Sequence, residues 1–258
     1  MHTTIQGEGK PLLLVHGIGS TASGWRPVIP ALARHRQVIA VDLPGHGKTP
    51  AREDSNTFAG LSAGLQAFLT EQGLTGVDMA GCSLGGRLVL EMARLGVAGH
   101  VVALNPGGFW EGWERTFLQT TLLASAFMLR TAGPLRGALA ANAVTRSLVM
   151  AQLSAHPWRL DGELVASELD SIAATRTFGA LTVDLATIPM QNGPAAPETG
   201  RVAIGWGRHD RLCFPEQAHR AAVKFPTARL HWFEHSGHYS WWDEPEAVVH
   251  LIEQTVVD

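Results

Sequence analysis

Gly81-Cys82-Ser83-Leu84-Gly85 sets a serine between two glycines, directly after the short run "VDMAG" and just ahead of "GGRLVLEMARLG", which is patterned like a helix. A serine hydroxyl is a poor nucleophile at neutral pH, so chemistry at Ser83 needs a sharp turn that exposes it and a base within reach. Glycines let the backbone bend there without Cβ clashes. Strand, tight turn and helix are the context a G-x-S-x-G nucleophile elbow requires, although the same letters also make a plain turn. The base should be a histidine held by a carboxylate, in the chain order serine, acid, histidine. Asp210, in "GWGRHDRLCFP", follows the apolar run Arg201 to Trp206, and His238, in "EHSGHYSWWDEP", follows the run Ala228 to Phe233. All three residues then stand in loops at the carboxyl ends of strands, the edge where open parallel sheets carry their sites. His235 lies nearer the strand end, but the Ser236-Gly237 turn swings the next residue back over the sheet, which favours His238. His209 reads as a loop residue beside the acid. The oxyanion formed by attack on a carbonyl needs two N–H donors already aimed at it. Leu84, directly after the serine, supplies one, and Ile18, between the glycines of "HGIGSTASGW", is the candidate for the other.

The elements that must position these residues alternate. "PLLLVHG" and "RQVIAVDLPG" are short β-branched runs stopped by glycine or proline, which reads as buried strands. "GWRPVIPALARH" looks helical after its prolines. "NTFAGLSAGLQAFLTEQG" has Phe58, Leu61, Leu65, Phe68 and Leu69 at helical spacing and ends on a glycine suited to a C-cap. "HVVALNPGG" is another strand. From Phe109 to about Gly200 the pattern turns mostly helical, and alternation then resumes with "RVAIGWG", a helix near Glu216 to Lys224, "ARLHWFE" and a helix through "EPEAVVHLIEQTV". The fold class that follows is α/β: a mostly parallel sheet with helices on both faces and a helical excursion inserted in it.

Composition narrows the partners. With 258 residues, 45% of them hydrophobic and 17% charged, the chain can bury one large domain. A formal net charge of −3 gives no basic field for nucleic acid or an anionic membrane surface. Met1 to Lys10 does not read as a secretory signal, and Phe117 to Leu129, broken by polar residues, is too short to span a bilayer. The expectation is a cytoplasmic protein, monomer or homodimer, with Cys82 and Cys213 reduced and with neither cofactor nor metal.

Two other motifs offer rival chemistry. Gly17-Ile18-Gly19-Ser20-Thr21-Ala22 fits G-x-G-x-x-A after a strand, with Asp42 ending the next strand as a ribose-binding acid would. Against dinucleotide binding, "DLPGHG" turns at once after Asp42, and the one tyrosine, Tyr239, has no lysine four residues on. His231-Trp232-Phe233-Glu234-His235 fits the zinc motif H-x-x-E-H. That motif needs a helix, whereas a strand would hold the two histidines more than about 10 Å apart.

"LLLVHGIGS", "VIAVDLPGHGKT", "GCSLGGRLVLEMA", "WGRHD" and "SGHYSWWDEPEAV" together resemble the α/β-hydrolase superfamily, specifically its cap-bearing branch of small esterases, lactonases and C–C bond hydrolases. The resemblance runs from about Pro11 to the end, apart from the helical insertion. It implies a core of residues 1–108 and 200–258, with a helical cap, or lid, over 109–199. It makes Ser83 the nucleophile of an acyl-enzyme, His238 the general base, Asp210 its orienting acid, and Ile18 and Leu84 the oxyanion donors. Only "HTTIQGEG" precedes the first buried strand, so the first edge strand of the family's leading antiparallel hairpin should be missing. Relatives that cleave C–C bonds often carry Asn before the serine and Trp after the histidine. Cys82 and Tyr239 stand there instead, which turns the reading toward an esterase or lactonase. Haloalkane dehalogenases and epoxide hydrolases carry an aspartate where Ser83 stands. Arg87 matches an arginine of the menaquinone-pathway synthases, which run an elimination on the same triad, and the fold also serves as a slow-turnover ligand receptor. The expected substrate is a small or medium hydrophobic or aromatic ester or lactone, held by Ile18, Leu84, Phe109, Trp110 and Tyr239. Most other aromatics of the insertion should be core, and Arg87, Arg146 and Arg176 are the available partners for a substrate carboxylate.

Overall fold

In the computed structural model, residues 1–256 are described and form one seven-stranded sheet. Its strands are β1 (Thr3–Gln6), β2 (Pro11–Val15), β3 (Gln37–Val41), β4 (Asp78–Cys82), β5 (Val101–Leu104), β6 (Val202–Gly207) and β7 (Arg229–Phe233), in the spatial order β1-β3-β2-β4-β5-β6-β7. Every neighbouring pair is parallel except β1 on β3. One antiparallel edge strand is therefore present ahead of β2. The central strands β4, β5 and β6 are buried along their whole length, as their unbroken apolar runs require when helices cover both faces of a sheet.

The chain leaves β2 toward β3 on one side and returns to β4 on the other, with Val15 paired to Gly81. That reversal opens a crevice at the carboxyl ends of β2 and β4, where a ligand site is expected in this class of sheet. The loop after β2 and the turn after β4 face each other across it.

The helices between β2 and β5 are α1 (Ile29–Leu32), α2 (Phe58–Glu71) and α3 (Leu84–Arg94). The helix expected over "GWRPVIPALARH" shrinks to a 3-10 turn, Ala22–Trp25, and the single turn of α1. Pro27 and Pro30 supply no backbone N–H, so a longer ladder cannot form. Thr57 caps α2 by accepting the Gly60 N–H at 3.1 Å, and Gly73 closes the helix at a φ of 65°.

Between β5 and β6 come α4 (Trp113–Ala132), α5 (Leu135–Ala141), α6 (Ala143–Val149), a 3-10 turn at Pro157–Arg159, α7 (Gly162–Ala174) and α8 (Phe178–Thr187). The helical excursion thus begins and ends inside the expected 109–199. Residues 188–200 are neither helix nor strand, and they tie back onto α3 and the loops flanking β5: Gln191 N–H donates to Gly108, Ala196 to Ala93 and Gly200 to Gly99. After β6 follow α9 (Glu216–Lys224), α10 (Ser240–Asp243) and α11 (Pro245–Val256). Trp241 and Trp242 both donate their indole N–H to the Gly24 carbonyl, at 3.0 and 2.8 Å, which locks the segment after β7 to the turn after β2. No helix among the described residues is long and apolar enough to cross a membrane.

Candidate active site

Ser83 sits between the end of β4 and the start of α3, with φ 53° and ψ −116°. That backbone is strained for a residue with a side chain, and the neighbouring glycines explain how it is tolerated. A Cβ on Gly81 would overlap the Gly85 carbonyl, and one on Gly85 would overlap the Val15 carbonyl, so the turn closes against itself and against β2. The carbonyl of Ser83 accepts N–H groups from Arg87 and Gly107, both at 3.0 Å, while its hydroxyl faces a cavity. Leu84 opens α3, where the first N–H groups of a helix have no partner within it.

The loop after β2 runs against this elbow. A Cβ on Gly17 would lie 3.1 Å from the Ser83 Cβ, a tight contact that glycine avoids. Ile18 follows, and its N–H has no hydrogen-bond partner among the described residues. His16 fixes the loop from beneath: its Nδ1–H donates to the Gly17 carbonyl at 2.7 Å, and its Nε2 accepts the Leu43 N–H at 3.0 Å. Burial holds the His16 pKa down at about 4, so the ring is neutral and can keep both roles.

Asp210 and His238 meet as the spacing predicts. The Nδ1–H of His238 donates to Asp210 Oδ2 at 2.8 Å, with both side chains out of solvent. Asp210 Oδ1 accepts the N–H groups of Leu212 and Cys213, each at 2.8 Å, and Oδ2 also accepts Asn105 Nδ2 at 2.8 Å. Four N–H donors therefore fix the carboxylate. The outer nitrogen of His238, Nε2, is buried without a partner among the described residues, and His238 lines the same cavity as Ser83. An unpaired imidazole nitrogen is an acceptor waiting for a proton. Asp210, Cys213 and His238 offer ligand atoms within 4.8 Å of one another. Burial, with Asp210 next in effect, pushes the Cys213 thiol well up, so it keeps its proton.

The cavity holds about 640 Å³ of empty space, part of it open to solvent. Ile18, Leu122, Leu129, Ile172, Phe178 and Leu212 give its walls an apolar character, and no Asp, Glu, Lys or Arg among the described residues lines it. A smaller chamber of about 320 Å³ continues past Ser83 beneath Leu84, Trp110 and Leu185.

Among the expected contacts, Ile18 and Tyr239 line the main cavity, and Leu84 and Trp110 line the smaller chamber. Phe109 lines neither: it is fully buried in the core, edge-on to Trp206 and Phe225. The aromatics of the insertion are also less buried than helical spacing suggests, since Trp113 and Phe127 are 66% and 71% exposed. Arg87 is buried and partly engaged, donating to Gln191 Oε1 and the Pro189 carbonyl and stacking 4.4 Å from the Phe58 ring centroid, while its Nη1 has no partner among the described residues. Arg146 is spent on the carbonyls of Ala140, Ala141, Pro157 and Trp158, and Arg176 is exposed.

The rival motifs have other duties. Asp42 accepts the N–H groups of Ala22 and Lys48, stapling two loops, and the glycine motif leads into a 3-10 turn instead of a helix. His231 lies within strand β7 and His235 is exposed in the loop after it. Sequence reasoning passed over Asn105, Glu168 and His16. Asn105 was the most findable, as an asparagine ending β5 on the same edge as Ser83; at φ 46° it holds a backbone that asparagine tolerates better than most residues.

A sequence model of the alpha/beta hydrolase family matches residues 12–251. The chain belongs to that family. Among curated relatives, a 2-hydroxy-6-oxononadienedioate/2-hydroxy-6-oxononatrienedioate hydrolase of Dechloromonas aromatica (strain RCB) is 27% identical over 95% of this chain and 86% of its own. Among solved structures, the enol-lactonase from Burkholderia xenovorans LB400 superposes with a TM-score of 0.76 at 21% identity, covering 100% of this chain and 96% of that one. An esterase from Exiguobacterium antarcticum gives a TM-score of 0.77 at 17% identity over 98% and 94% of the two chains. These structures share the fold.

Proposed function

We propose that this hydrolase cleaves small or medium, hydrophobic or aromatic carboxylic esters or lactones through an acyl-enzyme on Ser83. The observation that carries the reading is the buried Asp210–His238 pair, whose free Nε2 belongs to the same apolar cavity as a serine on a strained turn. In this reading His238 takes the Ser83 proton as the hydroxyl attacks the carbonyl, while Asp210 holds the ring in the Nδ1–H tautomer. The N–H groups of Ile18 and Leu84 receive the oxyanion. His238 then protonates the leaving alcohol, and a water activated by the same ring releases the acid. The helices α4 to α8 act as a cap that keeps bulk water from the acyl-enzyme. Cys82 and Cys213 are buried and outside any disulfide among the described residues, which accords with a cytoplasmic enzyme, as monomer or homodimer.

The walls of the main cavity favour this substrate class, because no charged side chain among the described residues lines them; in the smaller chamber Arg87 donates to Gln191 and Pro189 and keeps its Nη1 without a partner. C–C bond hydrolysis is the second reading, supported by the Dechloromonas relative, a hydrolase of 2-hydroxy-6-oxo dienedioates and trienedioates. A panel of p-nitrophenyl esters, lactones and dienoate acids, run on the wild type and Ser83→Ala, decides between them. Ester or lactone turnover that vanishes in the variant is expected. Full activity in Ser83→Ala overturns the mechanism, preference for the dienoates selects the second reading, and ester turnover far below one per minute would favour a receptor.

A further inference from the structure

Glu168, on α7 of the helical insertion, is 2% exposed and forms no salt bridge among the described residues. Each of its oxygens accepts one neutral hydroxyl: Ser20 Oγ donates to Oε2 at 2.9 Å and Tyr239 OH donates to Oε1 at 2.7 Å. A carboxyl so placed is costly to bury, and an apolar residue would serve better if the position were only for packing. What distinguishes it is what it joins. Ser20 closes the turn behind Ile18, donating its N–H to the Gly17 carbonyl at 3.3 Å. Gly19, between them, lies so close to α8 that a Cβ would come 2.7 Å from the Phe178 ring. Tyr239 follows His238 directly, stacks on Trp241 with 4.5 Å between centroids, and donates its N–H to the Leu153 carbonyl at 2.7 Å. One side chain from the insertion thus grips both loops that carry the oxyanion N–H and the base.

We propose that Glu168 is a positioning residue that fixes the spacing between the Ile18 N–H and His238 through Ser20 and Tyr239, so that catalysis proceeds only with the helical insertion seated. The role rests on the serine-hydrolase reading. It also has a protonation state. Burial raises the Glu168 carboxyl to about 7, against the pull of Tyr239, Ser20 and Arg26. Of the other groups that face it, burial first and Glu168 next push the Cys82 thiol and the Tyr239 phenol well up, so both stay neutral. Ionised Glu168 accepts from both hydroxyls. A proton on one oxygen makes that oxygen a donor, so the hydroxyl there accepts instead with its own hydrogen turned elsewhere, and both contacts lose the strength that the carboxylate charge gives them. The grip is complete above about pH 7 and loosens below it.

The test measures steady-state ester hydrolysis and the rate at which a fluorophosphonate labels Ser83, from pH 5 to 9, in the wild type, Glu168→Gln, Ser20→Ala, Tyr239→Phe, the last two combined, and the same hydroxyl variants in the Glu168→Gln background. Glu168→Gln should lower kcat and the labelling rate about tenfold with KM within about twofold. Its low-pH limb should follow one ionisation where the wild type follows two. Ser20→Ala and Tyr239→Phe should have effects that do not add, and this coupling should vanish when both are made in the Glu168→Gln background. Wild-type labelling rates, an unchanged pH limb in folded Glu168→Gln, or simple additivity of the two hydroxyl variants overturns the role. The hydroxyl variants carry the test alone if Glu168→Gln does not fold. Failure of the fluorophosphonate to label wild-type Ser83 sinks the hydrolase reading, and the positioning role with it.

Discussion

Acid should loosen this protein through His16, and the size of the effect follows from its surroundings. In the fold His16 is fully buried, donating from Nδ1 to Gly17 and accepting at Nε2 from Leu43, with its pKa lowered by burial from 6.5 to about 4. A proton on Nε2 would set a donor against the Leu43 N–H. A histidine whose pKa is depressed in the folded state contributes its full stability above about 6.5, where both states are neutral, and loses it as pH falls toward 4, because the unfolded chain takes up the proton first. At about 1.4 kcal/mol per pH unit the gap corresponds to roughly 3 kcal/mol, a large share of the roughly 5 to 15 kcal/mol typical of a domain. His46, whose ring centroid is 5.1 Å away, is lowered to about 3 by burial and then by His16, and it adds a loss of the same sign. Glu168 works in the opposite sense. With its pKa raised to about 7, the folded state takes up that proton first, so stability rises as pH falls from about 7 to 4.5. The wild-type profile blends these slopes, and they separate in variants. Urea denaturation of Glu168→Gln should show a loss on going from pH 6.5 to 4.5 that is about 2 to 3 kcal/mol larger than in the Glu168→Gln/His16→Gln double variant. Parallel losses in the two would refute the assignment of the acid slope to His16.

Other outcomes follow from the same geometry. Asn105→Ala removes a buried donor from Asp210 and from the Gly237 carbonyl and forces alanine to φ 46°, so a stability loss of about 2 to 4 kcal/mol in thermal or urea melts should accompany a drop in kcat. Gly85→Ala drives a methyl into the Val15 carbonyl, and soluble yield and Tm should fall with a penalty of about 4 kcal/mol or more, whereas Gly73→Ala, with open space around it, should cost about 1 to 2 kcal/mol for its positive φ alone. Leu122 lines both the main cavity and the smaller chamber, so Leu122→Trp should raise KM for bulky aryl esters well above its effect on acetate esters, measured across a p-nitrophenyl series.

The parts of this arrangement that were legible in the sequence are those with local signals. β-branched runs stopped by glycine announced the strands, and Ser83, Asp210 and His238 each followed one of them, so the topology alone brought them to one edge. Side chains whose role depends on distant partners were not legible. Glu168 meets Ser20 across 148 residues and Tyr239 across 71, and nothing in "VASELDSI" distinguishes it from a solvated helix face. Phe109 and Trp110 are adjacent in a stretch without helix or strand, where no periodicity says which points into the sheet and which toward the chamber beside Ser83. The exposed Trp113 and Phe127 of α4 show the same limit, because a helical stripe of large apolar residues says that a face exists and not what lies against it.

The most direct test of the account is a rapid-quench reaction with a p-nitrophenyl ester followed by intact-mass and peptide analysis. A burst of one p-nitrophenol per active site, with the acyl mass on the peptide that contains Ser83, is the predicted result, and both burst and adduct should be absent from Ser83→Ala. Turnover with no adduct on Ser83, or an undiminished burst in Ser83→Ala, would contradict it.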